Sequence, residues 1–356
     1  MSKSAWSLTT DLNEFDLNGS GAYPGAWHGR EALYIENRLG APVLLKSQLN
    51  LDRYRLQAEI ACPQAPGFIG LVFGVRDSRN YELVYVSPGT ETDPGEIQYD
   101  PVMNGSTTWQ INNGPEYQAA APFIDQEWSK LCLEVQQHEV SIRVGEDPVP
   151  QLVIRNLQHG RCCGTIGVWG YLPSYIRNLS VETIEPNDSV PAEKAAGLKR
   201  LAAETFITGW TVSEPYFADG DFNVSGGGSS VYADVEENGT LNLNRLFPCA
   251  SGMAVQASCK FTIPEEKETV LTFGFSDCLR LWVNGEAVYQ GDWTWTPPGS
   301  DGRIRPDFAE ARVRWRAGLN TIRAEVGSTE AIFGWGLAVK TRLFEMMPHP
   351  DPDERL

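Results

Sequence analysis

Three carboxylates crowd one short segment, Glu91-Thr92-Asp93-Pro94-Gly95-Glu96. Two carboxyl groups about 5–5.5 Å apart, one on each side of a glycosidic bond, can serve as nucleophile and acid/base. Pro94-Gly95 works against that geometry here. Proline removes a ladder donor, and Pro-Gly favours a type II turn. Glu91 and Glu96 are therefore expected on either side of an acidic hairpin loop, and no catalytic residue is assigned. Aromatic rings beside amides offer a second kind of chemistry. The C–H faces of sugar rings stack on Trp and Tyr, while hydroxyls pair with Asn, Gln, Asp or Arg. Tyr85, Gln98, Tyr99, Asn104 and Trp109 supply that mixture in strand-like text, with Tyr81, Trp169 and Tyr171 as further rings. They are expected to converge on one concave sheet. Trp293-Thr294-Trp295 lies among Gly, Asp and Pro. Residues i and i+2 of an extended chain share a face, so these indoles form a second candidate platform. The competing expectation for each ring, Trp335 included, is burial in a core.

Other reaction classes find little support. His28, His138, His159 and His349 are the four histidines, and no His-x-x-x-His pair occurs. There is no Gly-x-Ser-x-Gly elbow, phosphate loop or dinucleotide fingerprint. Asp219-Gly220-Asp221 offers oxygen ligands but reads first as a turn, so neither a metal nor a cofactor is expected. Seven cysteines without a Cys-x-x-Cys pair read as reduced, mostly buried thiols, the adjacent Cys162 and Cys163 among them. No apolar segment follows Lys3, so no signal peptide is visible and a cytoplasmic location is expected. The nearly apolar run from Ile69 to Val75 is far too short to cross a bilayer.

The elements that must position these residues are strands. The chain has 356 residues, 42% of them hydrophobic, with 34 Gly and 23 Pro. Its length suggests two domains, and its composition a turn-rich β protein. Leu56, Ala58 and Ile60 alternate with Arg55, Gln57 and Glu59. Leu131, Leu133 and Val135 repeat the pattern, as do Val140, Ile142 and Val144, and Leu279, Leu281 and Val283. Half-buried strands of this kind predict antiparallel sandwiches. The pattern breaks at Glu185-Pro186-Asn187-Asp188-Ser189-Val190-Pro191, which reads as a linker. Ala195, Leu198 and Ala202 then fall at helical spacing and predict a short connecting helix. The tail beyond Pro348 is proline-rich. The net charge of −17 is spread over both halves. It disfavours nucleic acid and anionic membrane surfaces as partners and leaves a neutral ligand open.

Residues 49–183 resemble the concanavalin A-like lectin/glucanase sandwich. The resemblance is carried by Phe68 to Val86, by Ile97 to Gln110, and by Gly164-Thr165-Ile166-Gly167-Val168-Trp169 leading to Ile176–Glu182. The order looks like bacterial laminin-G-like modules, among them glycoside and keto-disaccharide hydrolases. Glu91-x-Asp93-x-x-Glu96 is similar to the catalytic pattern of family-16 glycoside hydrolases, from which Pro94-Gly95 departs. Residues 206–342 resemble the galactose-binding-like jelly roll, through Gly209–Tyr216, Gly239–Asn244, Ala317–Ile322 and the Asp277…Trp282-Val283-Asn284-Gly285 element. The reading is an all-β protein of two antiparallel β-sandwich, jelly-roll domains. They are placed at residues 1–185 and 206–344, with a helical linker at 186–205 and a tail at 345–356. The function that follows from the resemblance is non-catalytic recognition of a carbohydrate ligand. A glycoside hydrolase, using Glu91, Asp93 and Glu96, and a structural or protein-interaction module are the alternatives.

Overall fold

The computed structural model describes residues 3–90, 94–160, 162–187, 193–217, 229–343 and 347–348. Glu91 and Asp93 of the acidic motif lie outside the described residues, and so do Asp219–Asp221 and the tail beyond Pro348. The chain divides into two compact units, Met1–Ala192 and Glu193–Leu356. Both are built almost entirely of antiparallel strands.

The first unit contains two sheets. One runs in the order Leu152–Ile154, Val140–Val144, Ser129–Val135, Tyr54–Ala61, Ser174–Thr183, Arg30–Ile35 and Tyr23–Trp27. Lys3–Trp6 also pairs with Ser174–Thr183, making eight strands. The other sheet has seven, in the order Gln118–Ala121, Gly95–Tyr99, Asn80–Ser87, Phe68–Asp77, Thr165–Tyr171, Val43–Leu45 and Phe15–Asp16. Period-two alternation fixes which side chains meet. Tyr54, Leu56, Ala58 and Ile60 are buried on the inner face, while Arg55, Gln57 and Glu59 stay half-exposed on the outer one. Leu56 stands opposite Leu133, which stands opposite Ile142, so the apolar rows coincide across three strands. Together with Leu71, Phe73, Val84 and Ile97 of the other sheet they form one core.

In the second unit, the longer sheet runs Ser230–Asp234, Gly209–Ser213, Met253–Ile263, Gly318–Gly327, Cys278–Val283 and Glu286–Asp292, with two short strands added on Met253–Ile263. A four-stranded sheet runs Thr240–Asn242, Gly336–Thr341, Lys267–Ser276 and Ala309–Trp315. Trp210, Trp315 and Trp335 are fully buried in the core of this unit. Asn284 and Gly285 both take positive φ, 52° and 86°, as a two-residue hairpin turn demands. The helix Lys194–Ala203 is more than a connector. Leu201 is buried in the core of this unit and Leu198 packs against it, so the helix is one of the unit's own elements.

Candidate functional site

The five residues expected to share one ligand face in the first unit are divided between surfaces. Tyr85 and Gln98 are direct cross-strand partners on the outer face of the seven-stranded sheet. Tyr99 follows Gln98 along the strand and so must point the other way. It is buried in the inter-sheet core, where its hydroxyl donates to Glu82 Oε2 at 2.6 Å and accepts from the Gln158 amide at 2.7 Å. Tyr85 is covered too. It stacks on Trp169 with ring centroids 5.5 Å apart and meets Phe68 edge-on at 5.6 Å, in a small outer cluster with Val72, Tyr81, Leu83 and Val102. Gly70 makes this possible, since it lies in register between Trp169 and Tyr85. A Cβ there would come within 2.3 Å of the Val84 carbonyl oxygen.

Gln98 is fully buried, and its Nε2 donates to the carbonyls of Tyr99 and Asn112, each at 2.7 Å. Asn104 sits in a tight turn at φ 52°, held by Asn80 through its amide and by Arg79 through its carbonyl. Trp109 is half-buried in the segment following Asp100. The outer face of this sheet is therefore a satellite core. The acidic motif contributes Glu96, which projects outward and accepts from Gln118 Nε2 at 2.8 Å.

Trp293 and Trp295 also part company. Trp293 packs on Phe308 at 4.2 Å and donates its indole N–H to the Arg303 carbonyl. Trp295 is 42% exposed and meets Phe333 edge-on at 6.0 Å. One ring is a packing group and the other a surface group, so they do not act as one platform.

The open aromatic and polar surface is the outer face of the eight-stranded sheet. His28 and Gly29, at φ 49° and 74°, close a two-residue turn between the strands Tyr23–Trp27 and Arg30–Ile35. That hairpin brings Trp27 opposite Arg30 and Tyr23 opposite Tyr34. Tyr34 in turn stands opposite Tyr175, and Arg177 opposite Glu59, which faces Lys130. The register slips between Arg177 and Ser180, a bulge that turns Asn178 outward at φ 55°. Asn178 Nδ2 donates to Glu59 Oε1 at 2.7 Å. Glu59 Oε2 lies 3.3 Å from Arg177 Nε and 3.5 Å from Arg30 Nη1. The Arg177 guanidinium sits 5.8 Å over the Trp128 ring.

A cavity of about 510 Å³ opens between these groups, lined by Arg30, Gln57, Glu59, Trp128, Lys130 and Asn178 among others. A second, of about 310 Å³, shares Arg30 and Asn178 and adds Arg177, Glu31, Ser7 and Thr9. Glu59 accepts from Asn178 and Arg30 and faces Arg177 as an ion pair. Arg30, with its side chain 52% exposed, keeps further N–H groups for a ligand. Next to the cavity, Glu134 bridges Arg55 at 2.8 Å and Arg143 at 2.6 Å. Burial alone would raise the Glu134 carboxyl, but these two guanidiniums hold it below the usual carboxylate range. Burial pushes the Tyr34 hydroxyl up to about 12, helped by its bond to Glu36, so it remains a neutral donor at physiological pH.

Sequence reasoning passed over this face. The spacing Tyr23-x-Gly25-x-Trp27 was its one local signal. Everything else depends on strands from four distant segments lying side by side.

No family model matches the chain, and no curated protein matches it. Among solved structures it is similar to a carbohydrate-binding module from Bacillus subtilis, at 12% identity and a TM-score of 0.37, over 48% of this chain and 96% of that one. A Bacillus subtilis protein with a galectin-like fold matches at 9% identity and a TM-score of 0.38, over 52% of this chain and 96% of that one. A Caenorhabditis elegans galectin matches at 15% identity and a TM-score of 0.29, over 40% and 90%. At these distances neither a ligand nor an activity carries over.

Proposed function

We propose that this chain is a non-catalytic carbohydrate-binding protein whose glycan sits in the first unit, on the outer face of the eight-stranded sheet beside Trp128. One observation supports the reading above all. A single polar cavity joins an indole to a guanidinium, an amide and a carboxylate, all mounted on strands or immediately beside them. The indole offers a face for sugar C–H groups, and Arg30, Asn178, Gln57 and Glu59 offer donors and acceptors for hydroxyls. Strands hold such groups more rigidly than loops do. Glu59 is held by hydrogen bonds from Asn178 and Arg30 and by an ion pair with Arg177, which fixes the carboxylate in place and leaves it acceptor sites for hydroxyls. A neutral glycan is also indifferent to the net charge of −17. The concanavalin A-like and galactose-binding-like assignments of the two units form part of the same proposal.

Glycan-array screening followed by calorimetry tests it on the intact protein. Trp128→Ala should weaken binding by about 1–3 kcal/mol, the size of base stacking on an aromatic side chain, with the unfolding temperature little changed. Arg177→Ala should weaken it as well, while Glu96→Gln should bind like the parent protein. Undiminished affinity in Trp128→Ala would overturn the placement. Glycan turnover that disappears in Glu91→Gln or Glu96→Gln would replace the binding reading with the hydrolase.

A further inference from the structure

The cavity at Trp128 is one end of a continuous row of rings. Trp128 meets Trp27 at 5.7 Å between centroids, and Trp27 lies nearly parallel to Tyr175 at 5.9 Å. Tyr175 meets Tyr34 at 5.0 Å, and Tyr34 meets Tyr23 at 5.1 Å. The three tyrosines stand in register on adjacent strands and run across the sheet to Tyr23, which is 55% exposed, while Trp27, on the same edge strand as Tyr23, leans over Tyr175 and turns the row toward Trp128. Gly25 lies beside the row, on the edge strand. A Cβ there would come within 3.4 Å of Tyr34 Cβ and 3.8 Å of Tyr175 Cε1, so a larger side chain would crowd the rings that glycine leaves uncovered. Each step of the row is comparable with the length of one pyranose unit.

A row in which Tyr23 is exposed and Tyr34, Tyr175, Trp27 and Trp128 are half-buried, with His28 stacked on Trp27 at 3.7 Å, suits an occupant with a repeating apolar face and a hydroxyl rim. The donors and acceptors of the adjoining cavity select the same chemistry. We propose that the ligand is an extended oligosaccharide of several residues, with one end in the Trp128 cavity and the chain lying over Trp27, Tyr175, Tyr34 and Tyr23. The inference rests on the carbohydrate-binding reading and adds to it the class of ligand, a chain in place of a terminal mono- or disaccharide.

The test is calorimetry of the full chain with di-, tetra- and hexasaccharides of β-1,3-glucan, β-1,4-glucan and β-1,4-xylan. In whichever series binds, the hexasaccharide should bind about tenfold or more tightly than the disaccharide, as one or two added stacking contacts require. Tyr34→Ala and Tyr23→Ala should remove most of that gain, so that hexasaccharide and disaccharide affinities converge. Tyr34→Phe and Tyr23→Phe, which keep the rings, should retain it. Gly25→Leu should act like the alanine variants by crowding the row, with unfolding temperatures reporting that each variant is folded. Binding that depends on Trp128 but is equal for all chain lengths would overturn the extended ligand and leave the function standing. Absence of binding across all three series would overturn both.

Discussion

Burial pushes the Asp100 carboxyl up to about 7, against hydrogen bonds from Thr108 and Trp109 that favour its charge. Its Oδ2 is buried and receives no hydrogen bond, so part of that charge has nothing to stabilise it. An unfolded aspartate titrates near about 3.9. Between that value and 7 the folded chain binds the extra proton. The contribution of Asp100 to stability is therefore fully present below about pH 4 and is lost as pH rises to about 7, at about 1.4 kcal/mol for each pH unit crossed. Asp100→Asn should flatten this part of the stability curve. Urea unfolding followed from pH 4.5 to 7.5 reads the difference, and an identical slope in variant and parent would contradict it. The same scale explains why Tyr85 and Tyr99 have different fates. Each lies one residue away from the parity that would have put both on one face.

At the scale of elements, a few local devices place the candidate site. The His28-Gly29 turn folds Trp27 back beside Arg30, the bulge at Asn178 turns an amide toward Glu59, and Gly70 lets two rings close over the opposite sheet. The helix Lys194–Ala203 shows how far one apolar residue can redefine an element. Its composition reads as a connector, yet Leu201 is only 2% exposed and belongs to the second core. Leu201→Ala should cost about 2–5 kcal/mol, the usual range for a buried leucine. Amide hydrogen exchange should show the loss confined to Glu193–Leu356. A change below about 0.5 kcal/mol would return the helix to the role of a tether.

Across the whole molecule the seven cysteines are free thiols, in different settings. Burial pushes Cys62, Cys162, Cys249, Cys259 and Cys278 each up to about 12. Cys163 is exposed. Because the thiolate is the nucleophile, iodoacetamide at pH 8 should alkylate Cys163 well before those five. Peptide mapping over time checks this, and early modification of Cys62 or Cys259 would contradict it. The acidity spread over both halves acts at this scale as well, on solubility and on the choice of partners, and leaves the fold alone.

The all-β class and the inner faces of the main strands were legible from residue order. Alternation is a local property, and Tyr54–Ile60 or Leu279–Val283 displays it within one strand. The Asn284-Gly285 turn was legible for the same reason. Which outer face stays open was not. Tyr85, Gln98 and Trp109 carry the chemistry of a sugar site, but the chain from Asp100 to Tyr117 folds back and buries Gln98, while Gly70 lets Trp169 cover Tyr85. Trp128, Trp27, Tyr175, Glu59 and Asn178 come from four separate segments. Only strand pairing brings them together, because neighbours across a sheet are set by long-range register and not by distance along the chain.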